Sequence, residues 1–258
     1  MPKRIILCLD GTWESVDQGA PNIPSNVARL SRMIARQGIS CSGDPIDQIV
    51  YYQPGVGTGP MNKVDKYYQG ITGAGIRNHL LSAYNFVATN YSHGDEIFLF
   101  GYSRGAYTAR ALGWFLTKLG VLKPEDLDLF PGLFRHFKRG SGRIEFSDVS
   151  PYEELRGVKT KPTPIEIVVE GVWETVGKVH HAFQALALDE HRGAFTPAIW
   201  YLEPKFKDKV NLKQCWFPGY HGEVGGGVAG PLGRNRLAIE DITLAWMCDQ
   251  VDGLLTFD

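Results

Sequence analysis

Short apolar runs alternate with stretches of helical periodicity along this chain. Strand-like runs cover residues 4–9, 48–52, 97–100, 165–173 and 212–217. Apolar residues recur at helical spacing in the stretches between and after them: 27–38, 76–91, 106–120 and 237–254. We expect Asn26 to cap the first of these helices. Strands that alternate with helices are typical of a mainly parallel sheet covered by helices on both faces. The pattern therefore predicts an α/β fold of that kind.

Residues 123–162 carry no strand pattern and interrupt this alternation. They contain a group of large apolar side chains that suggest short helices over an apolar surface: Leu127, Leu129, Phe130, Leu133, Phe134 and Phe137. We interpret the segment as a short cap on a single domain of residues 1–258. Its aromatic residues, together with Tyr67 and Tyr68, either line a substrate pocket or belong to ordinary core.

The composition and charge of the chain argue against several classes of binding partner. The net charge of −1 gives no electrostatic case for binding nucleic acid or an anionic membrane surface. No segment approaches the ~20 apolar residues of a membrane span, and no long apolar stretch follows Met1. The four cysteines are scattered without zinc-ligand spacing. We expect a cytoplasmic protein with no nucleic-acid partner, no stable membrane insertion, and no metal or other cofactor.

One strand-like run leads directly into a Gly-x-Ser-x-Gly motif. Gly101, Ser103 and Gly105 follow residues 97–100, and a helical pattern begins behind them. A nucleophile elbow requires this context, because its sharp turn strains the serine backbone and leaves room only for small residues alongside. Ser103 is therefore our candidate nucleophile. The alternative is a surface serine on a glycine-rich turn.

A serine nucleophile needs a histidine base and an acid that orients the base. In α/β-hydrolases the acid and then the histidine follow the nucleophile, from loops at the carboxyl ends of strands. Glu174 lies one residue past the run at 165–173 and is our first-choice acid. Asp189 is the second choice and Asp148 a weaker one, because neither directly follows a predicted strand. The alternative role for Glu174 is to cap a helix or brace a loop.

His221 is the candidate base among seven histidines. It follows the run at 212–217 by a short turn, and the glycines after it would let its loop fold back over the elbow. His180, His181 and His191 precede that strand, and we expect a helix to begin at His181. The alternative is a loop histidine hydrogen-bonded to the main chain.

An oxyanion hole normally takes one N–H group from the residue after the serine, here Arg104. The second donor should come from the loop after an earlier strand. The best-placed residues follow the first strand: Gly11, Thr12 and Trp13. Tyr102, inside the elbow, joins this candidate substrate-binding set. The runner-up loop is 55–59, which could instead form a mobile rim.

The glycine-rich runs at 54–60 and 221–230 match no phosphate-binding motif. The first lacks both the lysine of a P-loop and the glycine spacing of a dinucleotide loop, and the second comes too late to open a Rossmann unit. We therefore expect no nucleotide cofactor. A metal site is a lesser alternative where four side chains could converge, although no ligand spacing demands it: Asp10, Glu174, His221 and Glu223.

With these residues identified, the chain resembles the α/β-hydrolase-like family catalogued as domain of unknown function 2235. That family includes catalytic domains of type VI secretion phospholipase effectors and fungal proteins. The matching stretches run in family order: LDGTW at 9–13, SNVARL at 25–30, YYQPGVGTG at 51–59, GAGI at 73–76, IFLFGYSRGAYTAR at 97–110, GVWETVG at 171–177, HHAFQALALDEHR at 180–192 and WFPGYHGEVGGG at 216–227. The resemblance implies a serine ester hydrolase whose triad maps onto Ser103, the acid of the WETV segment and His221.

Two positions depart from the family pattern. The family has aspartate where this chain has Glu174, and usually aspartate two residues after the histidine, where this chain has Glu223. One extra methylene moves a carboxylate by about 1.5 Å, and a misplacement near 1 Å costs about a hundredfold in rate. These departures keep open a redirected, non-hydrolytic enzyme on the same scaffold, such as a lyase, isomerase or cyclase.

Our leading hypothesis is a serine hydrolase that cleaves carboxylic esters, with lipid esters among the candidates. The short aromatic cap favours a small or medium apolar ester over a bilayer lipid. A third hypothesis, a non-catalytic binding domain, is opposed by the intact order of serine, acid and histidine.

Overall fold

The computed structural model describes residues 2–11, 24–55, 74–132, 134, 165–173, 180–202, 204, 207–227 and 238–258. Within these ranges seven strands form one sheet: β1 (Lys3–Leu9), β2 (Gln37–Ile39), β3 (Pro45–Gln53), β4 (Glu96–Tyr102), β5 (Val169–Trp173), β6 (His181–Ala187) and β7 (Asn211–Phe217). Their order in the sheet is β2-β3-β1-β4-β5-β6-β7. All neighbouring strands pair in parallel except β2 and β3, which are antiparallel.

Helices cover both faces of this sheet. The α-helices are α1 (Asn26–Met33), α2 (Ala74–Asn90), α3 (Arg104–Lys118), α4 (His221–Gly225) and α5 (Ile239–Val251), and two 3₁₀ helices span Pro124–Leu129 and Gly193–Phe195. Helices α2 and α3 pack on one face, and α1, α4 and α5 pack on the other. The predicted α/β class, with a mainly parallel sheet between two helical layers, is confirmed.

The interior strand β1 shows why the chain adopts this arrangement. Ile5 and Leu7 point into the core under α2 and α3, whereas Ile6 and Cys8 point into the core under α1 and α5. A strand between two helical layers is buried on both faces, so its sequence is a continuous apolar run without polar alternation. The run at 4–9 therefore marks an interior strand of the sheet.

The expectation that a helix begins at His181 was wrong, because residues 181–187 form β6. The segment HAFQALA contains three alanines, and alanine has the highest intrinsic helix propensity. Pairing with β5 and β7 overrides that preference, and both faces of the strand are buried. Asp189 consequently lies two residues past a strand, so the reason for ranking it below Glu174 was also wrong.

Helix α1 is shorter than its apolar pattern predicts, and a different residue caps it. The Ser25 hydroxyl, and not Asn26, accepts the N–H of Ala28 at 3.1 Å. The Asn26 amide instead donates to the main-chain oxygens of Val224 at 3.2 Å and Glu240 at 2.9 Å. Asn26 therefore links α1 to α4 and α5. Residues 37 and 38, whose pattern predicted the end of this helix, belong to β2 instead.

The described part of the predicted cap packs into the core. Phe130 is buried, stacks on Tyr84 with ring centroids 3.8 Å apart, and meets Phe115 edge-on at 5.1 Å. Phe134 lies 6.1 Å from the same Phe115 ring. Phe130 therefore belongs to the core, and Leu127 and Phe134 pack against it. Four further residues of that prediction lie outside the described residues: Tyr67, Tyr68, Leu133 and Phe137.

Candidate active site

Parallel pairing brings the carboxyl ends of four strands to one edge of the sheet. The residues that follow β1 are Asp10 and Gly11, and Ser103 follows β4. Asp189 follows β6, and His221 begins α4 after β7. In open α/β sheets, ligands bind in the crevice at this edge. Candidate residues that are far apart in sequence therefore meet at the place where such folds hold their substrates.

Ser103 occupies a strained turn between β4 and α3. Its φ of 54° and ψ of −120° make it the one non-glycine residue with positive φ in the described part of the chain. Such a conformation costs about 1–3 kcal/mol. A β-carbon at Gly101 would lie 2.6 Å from the Ala106 α-carbon, and one at Gly105 would lie 2.0 Å from the Leu9 main-chain oxygen. The predicted strand–turn–helix is present, and its glycines are required by close backbone approach.

Tyr102 connects the elbow to the loops on either side. Its ring lies 4.9 Å from the His221 imidazole, and its hydroxyl donates to the His221 main-chain oxygen at 3.3 Å. A β-carbon at Gly11 would lie 2.9 Å from this ring, and one at Gly225 would lie 2.0 Å from it. The same β-carbon at Gly11 would lie 3.3 Å from the Ser103 β-carbon. The β1 loop, the elbow and the histidine helix therefore converge on the Tyr102 side chain.

The acid that departs from the family pattern two residues after His221 has a local structural role. The Glu223 carboxylate accepts the N–H of Tyr220 at 2.8 Å, at the start of α4. A glutamate at the third helical position that bonds back to the cap residue is one half of a capping box. A β-carbon at Gly219 would meet this carboxylate at 2.9 Å. The start of the helix therefore accounts for glutamate at position 223.

The second-choice acid holds the main chain of the histidine loop. Asp189 Oδ2 accepts the N–H of Gly219 at 2.6 Å, and the Asp189 N–H donates to the Gly219 oxygen at 3.1 Å. These bonds set the turn two residues before His221. Three residues of the predicted site lie outside the described residues: Thr12, Trp13 and Glu174. Most of the runner-up oxyanion loop, residues 56–59, is outside them too.

Asp10 is a buried carboxylate with three hydrogen bonds of 2.7 Å. Its Oδ1 accepts the N–H of Gly11, and its Oδ2 accepts the hydroxyls of Ser25 and Tyr52. Burial raises the pKa of Asp10, and the hydrogen bonds offset part of that rise. The Gly11 N–H is thus directed to Asp10, and the absence of a side chain at Gly11 leaves room for the Tyr102 ring.

Arg104 begins α3 directly after Ser103 and is partly buried, which lowers the pKa of its guanidinium. It faces His79 on α2. Burial first, and then the Arg104 charge, lower the pKa of the His79 imidazole. His79 is therefore uncharged near neutral pH. The packing of α2 against α3 brings His79 to this position.

Three further residues surround His221 and were not identified from the sequence. The side chain of Glu190 is fully buried, binds Arg192, and accepts the His221 N–H at 3.3 Å. Phe195 lies against the imidazole with ring centroids 4.9 Å apart. The run of two acidic residues followed by histidine and arginine in the stretch LALDEHR was the available signal. Because the sequence pattern did not predict β6, it could not place this stretch beside His221.

Other chemistry has little support in the described part of the chain. No three His, Cys, Asp or Glu side chains are grouped there as ligands for a metal ion. Cys8, Cys41, Cys215 and Cys248 are free. Burial and the nearby Asp10 charge raise the pKa of the Cys8 thiol, so this thiol is unreactive. Of the helices described, none has the length and apolar character to cross a membrane.

The sequence is similar to a known protein family and to a yeast protein. The family described as "T6SS, Phospholipase effector Tle1-like, catalytic domain" matches residues 3–180 and 177–250. An uncharacterized protein of Saccharomyces cerevisiae is 26% identical over 83% of this chain and 35% of its own length.

Two solved structures are similar to this fold. The crystal structure of an uncharacterized protein from Pseudomonas aeruginosa has a TM-score of 0.53 and 17% identity, over 97% of this chain and 45% of that one. The Tle1 effector bound to the VgrG spike of the Type 6 secretion system has a TM-score of 0.47 and 18% identity, over 91% and 52%. The chain thus spans about a third to a half of the length of these proteins.

Proposed function

This chain belongs to the Tle1-like catalytic-domain family of T6SS phospholipase effectors, and from that membership we propose that it is a serine hydrolase of carboxylic esters. The observation that carries the proposal is the strained backbone of Ser103, with φ of 54°, at the carboxyl edge of a parallel sheet. The packing of His221 on the adjacent Tyr102 ring supports it, because a base must lie beside its nucleophile.

In the proposed reaction, Ser103 Oγ attacks the carbonyl carbon of the ester while His221 takes the hydroxyl proton. The tetrahedral intermediate collapses when the carbon–oxygen bond to the alcohol breaks, and His221 gives its proton to the departing alkoxide. Water then attacks the acyl-enzyme, with His221 accepting the proton of the water and returning it to Ser103. The products are a carboxylic acid and an alcohol.

We assign the orienting acid to Glu174, with Asp189 as the alternative. Glu174 directly follows Trp173, whose main-chain oxygen accepts the Ser103 N–H at 3.3 Å. Strand β5, which ends at Trp173, therefore finishes beside the elbow. The Asp189 carboxylate is already bonded to Gly219, which supports a bracing role for it. One oxyanion donor is the Arg104 N–H at the start of α3, and the second comes from Thr12 or Trp13.

The proposed substrate class is an apolar acyl ester of small or medium size, with lipid-type esters included because of the family. Ser103 is partly exposed, and Tyr107, one helical turn later, is 42% exposed, so an aromatic surface adjoins the nucleophile. The single domain of residues 1–258 and the cytoplasmic location stay predictions.

Intact-mass spectrometry after exposure to a fluorophosphonate tests this proposal. We expect one covalent adduct on the wild-type protein, none on Ser103→Ala, and an unchanged adduct on Ser82→Ala, which alters an exposed serine of α2. Neutral p-nitrophenyl esters of increasing chain length and phosphatidylcholine vesicles then define the substrate. A folded wild-type protein that forms no adduct would contradict the hydrolase and favour the redirected enzyme or the binding domain.

A further inference from the structure

Four residues after β6 and β7 form a closed circuit of contacts, which we name the histidine clamp: Glu190, Arg192, Phe195 and His221. The circuit runs from the Glu190 carboxylate to the Arg192 guanidinium, and from there to the Phe195 ring. It continues to the His221 imidazole and returns from the His221 N–H to Glu190. The clamp thus contacts both the ring and the main chain of the candidate base.

The Glu190 carboxylate is the centre of the clamp. Its Oε1 accepts the main-chain N–H and the Nε–H of Arg192, both at 2.8 Å. Its Oε2 accepts from Arg192 Nη2 at 2.5 Å and from the His221 N–H at 3.3 Å. These donors, with Arg192 first, lower the pKa of Glu190 to about 2. A fully buried carboxylate with four donors is ionised and has little freedom to move.

Arg192 connects the Glu190 carboxylate to the aromatic ring that contacts the imidazole. Its side chain is 52% exposed, yet two hydrogen bonds to one carboxylate fix the plane of the guanidinium. The guanidinium carbon lies 4.3 Å from the centre of the Phe195 ring, at cation–π distance. Phe195 in turn contacts His221, which also packs on Tyr102 from β4. The imidazole therefore touches two aromatic rings, and the clamp supports one of them.

We propose that Glu190 and Arg192 are positioning residues that hold the His221 imidazole at the angle needed for proton transfer. The proposal rests on the proposed function, because it takes His221 as the base. Its physical basis is that a displacement near 1 Å costs about a hundredfold in rate, and that an imidazole rotates about its side-chain bonds unless its neighbours hold it. The competing role is simple bracing of the loop at 188–195.

Because Glu190 and Arg192 carry opposite charges, replacing each of them should change the pH dependence of activity. Simple bracing of the loop predicts no such change. Among the described residues, the charged and titratable groups near His221 include Glu190 and Arg192 after β6 and Tyr102 on β4. Glu190→Gln leaves the Arg192 cation uncompensated, which disfavours a protonated imidazole. Arg192→Ala leaves the negative charge of Glu190 uncompensated, which favours a protonated imidazole. The acid limb of the kcat/KM profile should therefore move in opposite directions, by roughly half a pH unit each.

Kinetics of four variants test the positioning role. We expect Glu190→Gln and Arg192→Ala to lower kcat by about 10–100-fold while KM changes less than about threefold. Arg192→Lys should not restore kcat, because lysine keeps the charge but loses the two-point geometry and the stacking. The matched control is Asp95→Asn, since Asp95 is also a fully buried carboxylate that accepts a lysine and two main-chain N–H groups. It lies at the opposite edge of the sheet, so kcat and the acid limb should not change.

An independent readout keeps this test separate from the proposed function. The His221 Hε1 resonance, assigned by comparison with His221→Gln, should show a ring-current shift that both Glu190→Gln and Arg192→Ala reduce. If the wild-type protein forms no fluorophosphonate adduct but this resonance changes as expected, the clamp stands and the hydrolase is wrong. If the protein reacts but the resonance and kcat are unaffected in both variants, the clamp is wrong. Full rescue by Arg192→Lys would also overturn it.

Discussion

The Tyr52 hydroxyl donates a 2.7 Å hydrogen bond to the Asp10 carboxylate, which is only 2% exposed. The same carboxylate oxygen accepts the hydroxyl of Ser25, a residue that caps α1 and pairs with Gly226 just after α4. Asp10 thereby links the loop beside Ser103 to the end of the histidine helix. Its buried charge makes each of its donors important for stability.

Tyr52→Phe should lower the free energy of unfolding by about 1–3 kcal/mol, because it leaves a buried carboxyl group without one of its hydrogen-bond donors. Tyr51→Phe is the matched control: Tyr51 stacks on Phe86 at 4.6 Å, and within the described residues its hydroxyl makes no hydrogen bond. It should change stability by less than about 0.5 kcal/mol. Urea unfolding at neutral pH measures both. Equal effects would mean that Asp10 does not depend on Tyr52.

The strained backbone at Ser103 should be visible as a gain in stability when it is released. Ser103→Gly relieves the positive φ, whereas Ser103→Ala keeps the strain. We expect the glycine variant to be more stable than the alanine variant by about 1 kcal/mol in denaturant unfolding. Both should lose ester hydrolysis, since neither has a nucleophile. A glycine variant less stable than the alanine variant would argue against strain at this turn.

The orienting acid can be identified by comparing isosteric changes. Glu174→Gln should lower kcat by about 10⁴-fold, because the amide no longer stabilises the imidazolium. Asp189→Asn should cost about tenfold, since it only loosens the bond to Gly219. Glu174→Asp should remain far more active than Glu174→Gln. A larger loss in Asp189→Asn than in Glu174→Gln would reassign the acid to Asp189.

Glu190 should make stability depend on acid pH in a defined direction. Its pKa is lowered to about 2 in the folded protein, against about 4.3 in an unfolded chain. A depressed pKa means that the contribution of the group is complete above about pH 5 and is lost as pH falls from about 4.5 towards 2. The stability difference between the wild-type protein and Glu190→Gln should shrink across that interval. Urea midpoints between pH 7 and pH 3 measure it, and a constant difference would contradict the assignment.

Agreement between sequence and structure is closest where the signal is local. The apolar run before Gly101 and the small residues around Ser103 predict a strand and a sharp turn, because both depend on residues within a few positions. The prediction was wrong at His181, where helix-forming alanines occupy a strand buried between two others. It was also wrong at Asn26, since the side-chain amide bonds to α4 and α5 and only the assembled core supplies those acceptors.

By itself the sequence determined the α/β class, the elbow at Ser103 and the candidate roles of Glu174 and His221, since these follow from periodicity, short motifs and chain order. Tertiary structure alone decided which residues support them. The bond from Glu190 to the His221 N–H joins positions 31 residues apart, and the contact of Tyr102 with His221 joins positions 119 apart. Such contacts depend on strand order and register, and neither is encoded in the residues of any one segment.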